Sequence, residues 1–235
     1  MKAEEILNEL REMGQEQTKK TLIRHGAVEP LFGVKVGDLK KIQKKVKTNH
    51  LLALELFATG VSDAMYLAGL IADESTITKE ELNAWVMGAS WDQISEYTVP
   101  WIAAESPYGW ECGMEWIDSE IPKVAASGWN TLSNWVALKE DIELNISELR
   151  KLLHRIVATI NSSPNRVRYC MNTFVISLGS YVQELTDECK TVATVIGKVE
   201  VSMGETACKV PDALSYIEKI ESMGRIGNKK KKARC

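Results

Sequence analysis

Apolar residues along the chain recur at helical rather than strand spacing. In AEEILNELREMG, Ile6, Leu7 and Leu10 share one face, and Gly14 stands where a helix-ending glycine belongs. In VGDLKKIQKKVKTN, Leu39, Ile42 and Val46 fall at i, i+3 and i+7, Asp38 comes early, and lysines cover the other face. HLLALELFATG and SDAMYLAGLIAD predict two short apolar helices broken at Gly60, the second capped by Ser62 or Asp63. TKEELNAWVMG sets Thr78 three residues before Glu81, the capping-box spacing, and closes at Gly88. Trp91 and Asp92 open a further helix in ASWDQISEYTVPW. NSSPNRVRYCMNTFVISLGSYV offers Ser163 as N-cap and Pro164 at the first helical position. DALSYIEKIESMG repeats the helix-then-glycine pattern. Only GKVEVSMG, residues 197–204, alternates like a strand, over too few residues to distinguish a strand from an ordered loop.

Many helices of about 10 to 15 residues joined by short turns predict an all-α chain, an α-solenoid of stacked helical pairs, with a globular bundle as the competing architecture. No exact repeat is visible, so any repeats are structural and degenerate. No linker rich in Pro, Gly or Ser divides the 235 residues. The expected organisation is one helical domain over 1–222 and a solvated basic tail over 223–235.

Composition is that of a soluble globular protein, with 45% hydrophobic and 26% charged residues. No apolar run approaches the roughly 20 residues that span a bilayer, and the N-terminus lacks the apolar run and cleavage site of a signal peptide. Five cysteines, Cys112, Cys170, Cys189, Cys208 and Cys235, are odd in number and form no C-x-x-C pair. The expected compartment is a reducing cytoplasm, with no disulfide frame and no membrane partner. His25, His50 and His154 are far apart and have no neighbour at ligand spacing, so no metal site and no cofactor are expected. Cys208 beside Lys209 is the one thiol whose sequence neighbour would favour the thiolate.

The net charge of −3 hides a strong segregation. Residues 51–123 hold thirteen carboxylates against Lys79 and Lys123 alone. Basic residues collect in three islands: Lys35, Lys40, Lys41, Lys44, Lys45 and Lys47; Arg150, Lys151, Arg155, Arg166 and Arg168; and Arg225, Lys229–Lys232 and Arg234. Lys40, Lys44 and Lys47 form a row at i, i+4 and i+7 that suits a phosphate backbone, although a solvated helix exterior explains it equally well. Arg166 and Arg168 follow Ser163-Pro164 closely enough to reach phosphates with the free N–H groups of a helix start. Seven tryptophans, Trp85, Trp91, Trp101, Trp110, Trp116, Trp129 and Trp135, lie within about fifty residues. Their indole N–H groups need partners, so some are candidates to line a groove while most fill the core.

Taken in order, LFGVKVGDLKKIQKKV, ALELFATGVSDAMYLAGLIAD and KEELNAWVMGASWDQI resemble the AlkD-like DNA alkylation repair family, which is built of HEAT-like helical repeats in an α-α superhelix. The likeness covers roughly residues 31–181. It implies a DNA partner, duplex, alkylated or branched, and a glycosylase that excises positively charged alkylpurines. In the family an aromatic contacts the sugar, a carboxylate one turn later stabilises the developing positive charge, and an arginine and a second aromatic hold the backbone. Trp91 matches the first aromatic. The expected carboxylate position carries Ser95, while Glu96 is rotated by about 100° on a regular helix and Asp92 stacks over Glu96. Trp129 is retained in WNTLSNW, but Thr131 and Leu132 occupy the arginine positions and Ile176 the later aromatic one.

Three readings follow. One is a noncatalytic or atypical DNA-binding protein using Trp91, Trp129, Lys40, Lys44, Lys47, Arg166 and Arg168. Another is an active alkylpurine glycosylase using Glu96 or Asp92. The third is a helical-repeat scaffold whose acidic stretch 51–123 meets a basic protein partner.

Overall fold

The computed structural model describes residues 2–234, and among them every regular element is helical. The thirteen α-helices are α1 Ala3–Met13, α2 Glu16–Arg24, α3 Val36–Val46, α4 His50–Ala58, α5 Ser62–Ile71, α6 Lys79–Gly88, α7 Val99–Glu105, α8 Gly109–Trp116, α9 Pro122–Leu138, α10 Ile146–Thr159, α11 Asn165–Tyr181, α12 Thr186–Ile196 and α13 Ala213–Ser222. Sequential neighbours pack as pairs, α4 on α5, α8 on α9 and α11 on α12, and the pairs stack in one domain. The long helices α9 and α11 lie against each other at the centre of the stack. Two apolar cores meet at α8 and α9, one built from Ile6 to Val124 and the other from Ile117 to Ile217.

The local signals account for several boundaries. Thr78 accepts from the Glu81 N–H while Glu81 accepts from the Thr78 N–H, so the capping box starts α6 as expected. Gly60, at φ +69°, separates α4 from α5. Gly14 differs from its expected role. Its φ of −58° is not left-handed, and a Cβ there would stand 2.6 Å from the Phe32 carbonyl oxygen. Glycine is required for close approach, not for a left-handed cap.

Neither Ser62 nor Asp63 caps α5, because the helix begins one residue earlier than their spacing suggests, with Val61 at the N-cap. Asp63 instead accepts from the backbone N–H groups of Phe32 at 2.6 Å, Gly33 at 3.3 Å and Val34 at 2.7 Å, pinning the segment that leads into α3. Similarly α11 starts at Asn165 with Pro164 as N-cap, and the Ser163 hydroxyl turns back to the Thr159 carbonyl. Residues 197–204 form no strand; the segment is a loop over the ends of α11 and α12.

The basic tail is not a solvated appendage. Lys230 N donates to the Ala137 carbonyl at 2.7 Å, and Lys229 Nζ reaches the Val136 carbonyl at 3.0 Å and Asp141 at 2.8 Å. These are the carbonyls that the end of α9 leaves unpaired, where cations are favoured. Further on, the Arg234 side chain is 8% exposed, pairing with Glu105 at 2.7 Å and with Glu74, and donating to the Ala72 carbonyl at 2.9 Å. The tail therefore straps the end of α9 to α7 and to the end of α5.

Candidate functional site

The sequence ISEYTVP cannot continue as a regular α-helix. Pro100 has no N–H for the Glu96 carbonyl four residues earlier, and its ring crowds that oxygen. The backbone responds by widening over Ile94–Thr98 into a π turn, in which the Val99 N–H bonds to the carbonyl of Ile94, five residues back. The orphaned Glu96 carbonyl accepts from Asn130 Nδ2 of α9 at 2.7 Å. Gly69 of α5 makes room for the wide turn, since a Cβ there would collide with the Thr98 methyl.

This extra residue per turn changes which side chain follows Trp91. Ser95 is buried, and its hydroxyl returns to the Trp91 carbonyl at 3.3 Å. Glu96, five residues after Trp91, occupies the next turn and faces α11. There Arg166 donates from Nε to Oε1 at 2.7 Å and from Nη2 to Oε2, a two-point fork that takes both carboxylate oxygens. Asp92 Oδ2 stands 3.1 Å from the same Nε. Glu96 is 1% exposed. Burial pushes its carboxyl up to about 7, outweighing the guanidinium that pulls it down. For Arg166, burial pulls the other way from the two carboxylates, which prevail and hold it above its ordinary range. The buried Cys170 thiol is pushed well up by burial and by the charge of Glu96.

Above this pair opens a cleft of about 780 Å³ between the end of α2, the π turn, the start of α11 and the 202–209 loop. Trp91, Asp92, Tyr97, Arg166 and Tyr169 line its floor, with Arg24, His25 and Lys209 on its sides. The Arg166 guanidinium also covers the Tyr169 ring, 4.5 Å from its centre. Of the thirteen carboxylates in 51–123, only Asp92 lines the cleft. Others are tied up elsewhere: Glu111 and Glu115 with Lys79, Asp118 with Arg155, Glu74 and Glu105 with Arg234, and Asp63 with backbone N–H groups.

The structure brings together Trp91, Asp92, Glu96 and Arg166 from the sequence analysis. Trp91 stands at the cleft edge, largely covered, its indole N–H donated to Ser62 Oγ at 2.7 Å. Trp129 is corrected. Its ring is fully buried against Phe174 and beneath Arg155, so it cannot meet DNA. Trp85, Trp101 and Trp116 are likewise core residues. The lysine row also shortens. Lys47 is the C-cap of α3, at φ +60°, and so leaves the helical face that keeps Lys40 and Lys44. None of the three lines the cleft, and neither does Arg168. Residues missed in the sequence are Arg24, Tyr97, Tyr169 and Lys209. Tyr169 was within reach, since it follows Arg166 by three residues, the spacing that stacks side chains on a helix. Among the described residues no group of three His, Cys, Asp or Glu side chains stands close enough to hold a metal ion, and no helix is long and apolar enough to cross a membrane.

Residues 6–188 match the family model described as DNA alkylation repair enzyme. The chain is similar to the uncharacterized proteins Lin0241 of Listeria innocua and Lmo0209 of Listeria monocytogenes, each 34% identical over 222 residues, covering 92% of this chain and 96% of the relative. It is also similar to a solved structure described as belonging to "a new family of proteins related to the HEAT-like repeat DNA glycosylases with affinity for branched DNA structures". The TM-score is 0.92 and the identity 34%, with all of both chains covered. The stacked helical pairs are thus HEAT-like repeats.

Proposed function

The chain belongs to the DNA alkylation repair enzyme family, and from that premise we propose that it holds branched DNA in the cleft without excising bases. One observation carries this reading: both oxygens of the Glu96 carboxylate are engaged by Arg166 below the surface. A carboxylate that stabilises a sugar cation must face the sugar with an oxygen free for it, and the transition-state charge is offset only by groups aimed at it. Glu96 instead spends its charge on a protein cation.

The cleft retains what backbone binding asks for. Arg24 and Lys209 line the cleft outside the Arg166–Glu96–Asp92 cluster, and cations on phosphates supply affinity that does not depend on sequence. The described affinity of the similar solved structure for branched DNA supports a junction as the preferred form. Lys40 and Lys44, off the cleft on α3, would serve as secondary phosphate contacts on a bulky, many-armed substrate. A reducing compartment suits the free thiols Cys112, Cys170 and Cys189.

Asp92 is the carboxylate that an excising enzyme would use, because its side chain is 46% exposed in the cleft. It shares Arg166 with Glu96, which weakens its field at a sugar. The protein-scaffold reading loses its main support, since much of the acidic stretch is consumed by internal pairs. The test is a binding titration of four-way junction, plain duplex and alkylated duplex at several salt concentrations. The junction is expected to bind most tightly, with a steep salt dependence. Equal, weak binding of all three at low salt would overturn the proposal.

A further inference from the structure

A second groove opens beside the cleft, with a volume of about 410 Å³. Four tyrosines line it, Tyr97, Tyr169, Tyr181 and Tyr216, and Arg225 and Lys230 stand at its rim. No described carboxylate lines it, in a chain whose net charge is −3. Tyr97 and Tyr169 belong to both the groove and the cleft, so the two form one continuous surface. Tyr216 is 46% exposed and Tyr97 39%, which leaves ring surface open to a ligand. Lys230 Nζ sits 5.5 Å from the centre of the Tyr181 ring, a cation poised beside an aromatic face.

Aromatic rings flanked by cations, without carboxylates, match one ligand chemistry: unpaired bases on a phosphate backbone. Every base has a π-face to stack, and the cations track the phosphates. A base inside a duplex has both faces covered by its neighbours, so paired DNA cannot use such a groove. A strand released at a branch point can, and the continuity with the cleft puts the groove where that strand would leave. We propose that this tyrosine-lined groove binds the unpaired strand of a branched DNA whose paired arms lie at the cleft. The inference rests on the DNA-binding reading of the cleft and adds a second site with its own specificity. A proline-rich peptide also stacks on aromatic grooves, but it gives no use to Arg225 and Lys230.

The experiment compares a four-way junction with all arms paired, a fork with one unpaired arm, and a short oligo(dT), using fluorescence anisotropy on the full chain. Wild-type protein is expected to bind the fork more tightly than the paired junction, and to bind oligo(dT). Tyr216→Ala, on the exposed face of α13, is expected to weaken fork and oligo(dT) binding about tenfold while leaving the paired junction unchanged. Tyr216→Phe, which keeps the ring, is expected to retain both. Arg225→Gln should lower the salt slope for oligo(dT) by about 0.7, one phosphate contact on a single strand. An equal loss on fork and paired junction, no loss on the fork, or binding of a proline-rich peptide in place of oligo(dT) would overturn the inference. If paired junctions fail to bind while oligo(dT) binds through Tyr216, the cleft reading fails and the groove stands.

Discussion

Arg166 of α11 fastens Glu96 of the π turn by two nitrogens, Nε at 2.7 Å from Oε1 and Nη2 on Oε2, across 70 residues of sequence. The contact converts a carboxylate placed like a catalytic group into a buried half of an ion pair. It also ties the central helix α11 to the segment that carries Trp91.

The pair gives the fold a definite pH dependence. An unfolded glutamate releases its proton near its ordinary value of 4.5, whereas Glu96 in the folded chain holds it up to about 7. Between those values the native state binds a proton that the unfolded state has lost, so stability falls as pH rises. The contribution of Glu96 is therefore greatest below about 4.5 and flattens above about 7. Urea midpoints measured across this window should show that slope in the wild type and lose it in Glu96→Gln. Parallel curves for the two proteins would contradict the assignment.

The π turn depends on a side chain from another helix. Asn130→Ala removes the donor to the buried Glu96 carbonyl and is expected to cost about 1–2 kcal/mol, read by equilibrium denaturation. A wild-type midpoint in Asn130→Ala would mean that the carbonyl finds another partner at no cost.

How much of this was visible in the sequence follows from which interactions are local. The capping box at Thr78 and the break at Gly60 depend on neighbours within a few residues, and both were legible. The helical periodicity of the remaining segments gave the all-α class for the same reason. The Glu96 position was not legible, because a spacing rule of one turn assumes a regular helix and Pro100 imposes a wider one. Trp129 departs from the rule that a buried indole N–H has a partner, since its Nε1 is buried with none. The docking of the tail was not legible because its partners, Glu74, Glu105 and the carbonyls of α9, are about a hundred residues or more away in sequence. The cleft tyrosines were not legible because Tyr97 of the π turn and Tyr169 of α11 share a surface only once the fold brings those elements together.

Docking of the tail can be measured directly. Arg234 and Glu105 are 8% and 7% exposed at their side chains, so Arg234→Ala leaves a buried carboxylate without its guanidinium. The expected loss is about 3 kcal/mol, and Glu105→Gln in the same chain should restore part of it. A double variant no more stable than Arg234→Ala alone would show that the charge of Glu105 is not what the strap satisfies.

Lys47 ends α3 at φ +60° and ψ −150°, a conformation that glycine adopts without penalty and lysine does not. Lys47→Gly is expected to raise stability by about 1 kcal/mol. Since Lys47 lies off the cleft, the same variant should leave the affinity for junction DNA close to wild type. A large loss of junction binding would place Lys47 itself in the interface beside Lys40 and Lys44.

On the proposed reading this cleft grips DNA while its carboxylate stays out of the chemistry. Both halves are measured at once by adding saturating protein to a four-way junction built from alkylated strands and following free alkylpurine over time. The junction is expected to be fully bound and to release no more base than the same DNA without protein. Base released above that background, and lost in Glu96→Gln or Asp92→Asn, would contradict it.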